Sequence, residues 1–210
     1  MPITLSTSIQ FTSTGQLVIR TRLKFVFTTM TSLPESYSVV KGVTMTFLDR
    51  NSPYITRVNI SGDPDAEQLF VPAHWHETHD EVMLIVKGKL EIMLGSTWRT
   101  YTPEDGEVTI PKGTVHSLRS LKGVETVFHE KTEPMDEEKE LFFRNIFSIE
   151  GGMNANLLPA MQVFYHGDTL PAFPVHLPWL EKAFIVIFGY YLAPWFGYRL
   201  KYDNAKLKRL

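Results

Sequence analysis

The chain has 210 residues, a formal net charge of −2 and 43% hydrophobic residues. That is enough apolar material for one compact domain with a sizeable core, and too little net charge to point to a nucleic-acid partner or a strongly acidic substrate. With no cysteine in the chain, disulfides and thiolate metal sites are excluded, so a bound metal must use His, Asp or Glu.

Residues 1–34 contain no acid, are rich in Ser and Thr, and carry Arg20, Arg22 and Lys24. That composition is shared with organelle transit peptides. The period-two pattern favours a strand instead: Ile19, Thr21, Leu23, Phe25 and Phe27 fall on one face, and the three cations on the other. We expect an N-terminal extension or strand over 1–35. The alternating strand at 17–27 is suited to exchange between subunits of a homodimer. Residues 36–131 read as short apolar or alternating runs broken by Gly, Pro, Asp and Asn, among them "SVVKGVTMTFL", "YITRVNI", "EVMLIVKGKLEIML", "TVHSLRS" and "VETVFHEKT". This spacing predicts an all-β sandwich or barrel.

After Pro134 the period changes. "MDEEKELFFRNIFSIE" has acids at its start and an apolar face of Leu141, Phe142, Ile146 and Ile149, which predicts a helix beginning near Pro134. Its "DEEKE", residues 136–140, reads as a solvated helix start. "ANLLPAMQVFYHGD" and "LPWLEKAFIVIFGYYL" predict two more helices, so 132–210 is expected to be a helical lobe packed on the barrel. The segment 183–198 is uncharged, but it is shorter than the roughly 20 residues of a spanning helix and is interrupted by Gly189, Pro194 and Gly197. Packing against the rest of the protein is favoured over membrane contact there. A cytoplasmic location is expected.

The chemistry concentrates in "HWHETHDE", residues 74–81. Side chains alternate across a strand, so His74 and His76 share a face. A hairpin at 77–80 would return Glu81 beside His76, leave His79 and Asp80 in the turn, and put Asp80 on the wrong face. In "PKGTVH" the rigid Pro111-x-Gly113 turn fixes where the next strand starts, and His116 projects from it. His129, His166 and His176 have no partner at a ligand-like spacing. A buried Glu81 beside three imidazoles is costly unless it is paired, which points to a cation.

These residues resemble the two motifs of the cupin superfamily. His74-x-His76, four residues, Glu81, six residues and Gly88 is similar to the first motif. Pro111-x-Gly113-x-x-His116, preceded by Gly106, is similar to the second. Gly106 stands one residue closer to Pro111 than is usual, and Ser120 stands where an asparagine is common. The resemblance covers roughly 40–131 and implies a mainly β fold: a single cupin β-barrel of jelly-roll type, over 36–131. It also implies one divalent metal ion held by His74, His76, Glu81 and His116. Beyond residue 131, "FFRNIFS" and "VFYHGD" resemble the tails of small single-domain cupins encoded near fungal secondary-metabolite genes.

An N/O ligand set of this kind suits Fe, Mn, Ni, Cu or Zn. An open coordination position would let substrate or dioxygen reach the ion. By alternation, Met83, Ile85, Ile92, Leu118 and Phe128 are candidates for an apolar substrate pocket. The expected function is a metal-dependent oxidoreductase acting on a small apolar or aromatic, polyketide-like natural product. Two alternatives stand beside it: a non-oxidative isomerase, cyclase or decarboxylase using the metal as Lewis acid, and a small-molecule binding protein without turnover.

Overall fold

A computed structural model describes residues 3–11, 17–25, 33–152 and 156–203. It divides into two compact units, Met1–Leu33 and Pro34–Leu210. In the first, β1 (Ile3–Phe11) and β2 (Leu17–Phe25) form an antiparallel hairpin in continuous register from Ile3 opposite Phe25 to Phe11 opposite Leu17. β2 thus covers the strand expected over 17–27 as far as Phe25, and Phe27 lies outside the described residues.

The second unit holds the remaining strands: β3 (Ser36–Val40), β4 (Val43–Phe47), β5 (Thr56–Ile60), β6 (Phe70–Trp75), β7 (Asp80–Lys87), β8 (Leu90–Leu94), β9 (Thr97–Tyr101), β10 (Glu107–Ile110), β11 (His116–Ser120), β12 (Thr126–Glu133) and β13 (Leu170–Pro171). They form a six-stranded sheet ordered β10-β7-β12-β5-β4-β3 and a five-stranded sheet ordered β13-β6-β11-β8-β9. Every pairing is antiparallel. One core is shared between the sheets. Val43, Met45, Val58, Ile60, Met83, Ile85, Ile110 and Phe128 come from the first sheet, and Leu90, Ile92, Tyr101 and Leu118 from the second. Two sheets burying one set of alternating side chains make a closed sandwich, the jelly-roll solution to unpaired edges.

Three helices follow: α1 (Glu138–Ile146), α2 (Leu157–His166) and α3 (Pro178–Ile185). The last runs on through a π-helical stretch, Val186–Leu192, to Ala193–Trp195. Ile146, Ala160, Met161, Val163 and Ile185 make a second core. Phe143 and Phe147 pack against both cores, which joins the helices to the barrel. The continuous helix from 178 buries a narrow stripe of Glu181, Ile185, Gly189 and Ala193. Gly189 lies so close to the Met161 carbonyl that a Cβ would meet it at 2.3 Å. Its opposite face is open, with Trp179, Ile187, Tyr190, Tyr191 and Trp195 exposed. Among the described residues no helix is long and apolar enough to cross a membrane.

The β7–β8 turn needs Gly88 for two reasons: its φ is +78°, and a Cβ there would lie 2.0 Å from the Glu125 carbonyl oxygen. Gly106 has φ +69° with open space around it. Gly88→Ala should therefore cost about 3 kcal/mol or more, combining left-handed strain with a backbone clash. Gly106→Ala should cost about 1–2 kcal/mol from strain alone. Urea denaturation of the two variants measures the difference.

Candidate metal centre

β6 carries His74, and His76 follows its last residue directly. β11 opens with His116, which stands directly opposite His74 in the antiparallel pair. Their ring centroids are 4.1 Å apart. Glu81 is the second residue of β7, in the other sheet. The segment 77–80 is therefore not the expected hairpin: β6 and β7 do not pair, and the chain crosses between sheets at the barrel's edge. The crossing still brings His76 Nε2 to 2.9 Å from Glu81 Oε2, because the two sheets converge there. Two backbone contacts fix the corner. Lys112 N donates to Asp80 Oδ1 at 2.8 Å, and Gly113 N donates to the His76 carbonyl at 2.7 Å. The Pro-x-Gly turn is thus pinned onto the first motif, and Asp80 is used outside the cluster, as alternation requires.

One donor atom from each of His74, His76, Glu81 and His116 lies within 4.8 Å of every other, and all four residues are buried. The imidazoles are oriented by a common device. Nδ1 of His74 faces the Pro72 carbonyl at 2.8 Å, that of His76 the Asp168 carbonyl at 2.6 Å, and that of His116 the Thr114 carbonyl at 2.9 Å. A carbonyl only accepts, so each Nδ1 carries the proton, and in the neutral ring each Nε2 presents a lone pair to the shared centre. Burial first, then the charge of His116, holds His74 well below the usual histidine value. Burial first, then the charge of Lys139, brings His76 down to about 4. Neutral His76 thus sets a lone pair 2.9 Å from a carboxylate oxygen, two acceptors face to face. His116 Nε2 is buried without any hydrogen-bond partner. The same is true of His79 Nε2, outside this group of four. A divalent cation shared by the four donors satisfies both features of the cluster, and the donor set fits one.

One expectation is corrected by α1. Lys139, read from sequence as part of a solvated helix start, is 4% exposed. Its ammonium donates to Glu81 Oε2 at 2.9 Å and to Glu130 Oε1 at 3.0 Å. Burial opposes its charge, but Glu81 and then Glu130 outweigh it and hold the lysine pKa above its ordinary value. Burial likewise works against ionised Glu81, and Lys139, His116 and His76 together hold its pKa well below the carboxylate range. Glu130, on β12, is pushed up to about 7, by burial foremost. Glu81 is therefore already paired, and its burial does not by itself demand a metal. The facing lone pairs of the imidazoles carry that argument instead. Nothing in "DEEKE" marks Lys139, because only the docking of α1 on the barrel turns the first helical turn inward.

Asp168 is the other residue missed. It adopts φ 48°, and its carboxylate accepts from Glu77 N at 3.0 Å, Thr78 N at 2.8 Å and Thr78 Oγ1 at 2.6 Å. It also lies 3.2 Å from His79 Nδ1. These contacts outweigh burial and hold its pKa far below the usual aspartate value. His79, assigned from sequence to the turn, is buried and stacked on His76 with ring centroids 4.4 Å apart. One residue after α2 thus clamps the 77–79 turn with its side chain and orients His76 with its carbonyl. His129, His166 and His176 lie outside both histidine groups. His176 Nδ1 instead meets buried Glu181 at 2.9 Å, and Trp75 Nε1 donates to the same carboxylate at 2.7 Å.

The cluster opens through His74 and Glu81 onto a cavity of about 350 Å³ between barrel and helices. Glu130, Lys139 and Thr169 are its other polar residues. The remaining wall is apolar, with Val39, Met45, Val71, Phe142, Phe143, Phe147, Met161 and Phe164 prominent. Of the expected pocket residues, Leu118 and Phe128 line it. Met83, Ile85 and Ile92 do not: they are wholly buried in the barrel core. Alternation assigned them the right face but says nothing about depth, and the wall is shared between other strand residues, such as Val39, Met45 and Val71, and the helices.

Asp168→Asn should weaken the turn clamp by about 2 kcal/mol, since it removes a charge-assisted acceptor. It should also lower zinc affinity about tenfold or more through the loosened His76. Urea denaturation and competitive zinc titration against a chelating dye check the two effects.

No family model matches the chain. A curated protein of the fungus Arthrobotrys oligospora, named as an oxidoreductase, is 26% identical over 149 residues, covering 61% of this chain and 56% of that protein. The chain thus spans little more than half the length of that relative. Among solved structures, it is similar to KdgF from a Halomonas species, with 21% identity, TM-score 0.35, and coverage of 46% of this chain and 84% of that one. For the polyketide cyclase RemF from Streptomyces resistomycificus the values are 22%, 0.33, 46% and 66%. For an RmlC-like cupin from Shewanella frigidimarina they are 15%, 0.33, 46% and 79%. The chain's own architecture is mainly β, two antiparallel sheets closed on one core in the manner of a jelly roll, with the residues of both histidine motifs meeting at one end.

Proposed function

We propose that the protein is a metal-dependent oxidoreductase acting on a small apolar or aromatic, polyketide-like natural product. In this reading His74, His76, Glu81 and His116 hold one divalent ion. The observation that carries it is the orientation of three buried imidazoles by backbone carbonyls, so that their Nε2 atoms face Glu81 and one another. When bound, such an ion supplies Lewis acidity and, for a redox-active metal, electron transfer at an open coordination position.

The chain's own residues supply the rest. His74 and Glu81 place the centre on the wall of the cavity rather than sealing it inside the barrel. A cavity of about 350 Å³ is near the lower end of small-molecule sites, which span about 300–1,000 Å³. Its apolar wall favours a flat or aliphatic body and excludes water from the polar end, where low dielectric strengthens each electrostatic contact. The relative named as an oxidoreductase is consistent with this class of activity.

Elemental analysis of protein purified without added metal should find about one divalent ion per chain, and His116→Ala should lose it. Iron-, manganese- and zinc-loaded protein should then be incubated with hydroxylated naphthalene probes, with and without dioxygen, and followed by mass spectrometry. Conversion that requires both a redox-active metal and dioxygen is expected. Equal conversion with zinc under nitrogen would replace the oxidative reading with Lewis-acid catalysis. Binding without conversion in every arm would make the protein a carrier.

A further inference from the structure

The buried pair of Lys139 and Glu130 stands outside the four donors that would share the ion, although Lys139 touches one of them, Glu81. The pair is also expensive. A fully buried lysine is rare unless paired, and each ion loses several kcal/mol of hydration. Nor does the helix ask for it: Lys139 sits in the first turn of α1, where the helix dipole disfavours a cation. The pair adds no net charge to the cluster. What it does add is direction. An ammonium has three donors, and two are committed, to Glu81 Oε2 at 2.9 Å and Glu130 Oε1 at 3.0 Å. The same ammonium lines the cavity, 5.3 Å from the centroid of the Phe143 ring. Among the described residues, only Thr169 adds a further polar side chain to the wall beyond His74, Glu81 and the pair itself.

We propose that Lys139 is the recognition point for an oxygen anion on the substrate, and that the cavity takes apolar or aromatic acids, or enols and phenols ionised when bound, with that oxygen against Lys139 beside Glu81. The body of the ligand lies among Phe142, Phe143 and Phe147. Glu130 keeps Lys139 in place and balances its charge while the site is empty of ligand. This inference rests on the metal centre proposed above, because without a cation the single positive charge of Lys139 is already balanced by Glu81 and the site has no net attraction for an anion. Lys139 comes from the helical segment, so substrate selection is carried by the part of the chain outside the barrel.

The test compares two ligands of one shape, 2-naphthoate and 2-naphthalenemethanol, by calorimetry on zinc-loaded full-length protein with the zinc content measured in each sample. Wild type should bind the acid at least tenfold more tightly than the alcohol. The double variant Lys139→Met, Glu130→Gln removes both charges of the pair, and in the zinc-loaded protein Glu81 keeps the ion as its partner. It should retain zinc and alcohol affinity, and lose about tenfold in acid affinity, the scale of one charge-assisted hydrogen bond. A double variant that keeps zinc and the full acid preference overturns the assignment to Lys139 while leaving the metal centre intact. Equal losses for acid and alcohol overturn it too, since the pair would then only shape the cavity. If the double variant does not fold, equal wild-type affinities for acid and alcohol still overturn the proposal. Wild type that takes up no zinc overturns the metal centre and this inference together, and the zinc measurement separates that case from the others.

Discussion

Three imidazole rings in this protein are each turned by one hydrogen bond from Nδ1 to a backbone carbonyl. That constraint decides what the centre of the molecule can be. With the protons fixed on the outer nitrogens, the inner ones are acceptors, and they converge on a carboxylate that also only accepts. Such a cluster is electrostatically incomplete in a way that a cation relieves. The ammonium of Lys139 relieves part of it, at Glu81. It leaves His116 Nε2 without a partner and His76 Nε2 against an oxygen.

Holding that arrangement takes both halves of the second unit. The barrel supplies the four donors by register: His74 opposite His116 in one sheet, Glu81 reaching across from the other. The carbonyls that turn His74 and His116 come from two residues upstream in the same segments, so those orientations are local. His76 is different. Its ring is set by Asp168, which follows α2, and the same residue's carboxylate gathers the backbone of the 77–78 turn. Glu181 in α3 holds Trp75, the residue between the two histidines, by its indole. The helices thus brace the strand end that bears the first motif, and they also close one side of the cavity.

The cavity follows from that packing. A jelly roll fills its interior with its own alternating side chains, as Met83, Ile85 and Ile92 do here. Space for a ligand arises where α1 and α2 lie across the barrel mouth and cannot interdigitate fully with it. Phe143 and Phe147, shared by the two cores, fix how far apart those surfaces stand.

Much of this was legible in the residues. Alternation and turn residues marked the strands from 36 to 131, the period change after Pro134 marked the helices, and the spacing of His74, His76, Glu81 and His116 marked the donors. These are short-range properties: a period of two fixes a face, and a Pro-x-Gly turn fixes where a strand begins. The hairpin expected at 77–80 failed because a polar four-residue connection fits a turn within one sheet and a crossing between two equally well. Lys139, Glu130, His79 and Asp168 carried no local signal, since a polar residue in a helix start, strand or loop reads as solvated until another element covers it. The chain by itself determined which atoms can ligate and on which face they stand. Only the tertiary structure decided which charges are buried beside them, because burial is a property of what packs against a residue and not of its neighbours in sequence.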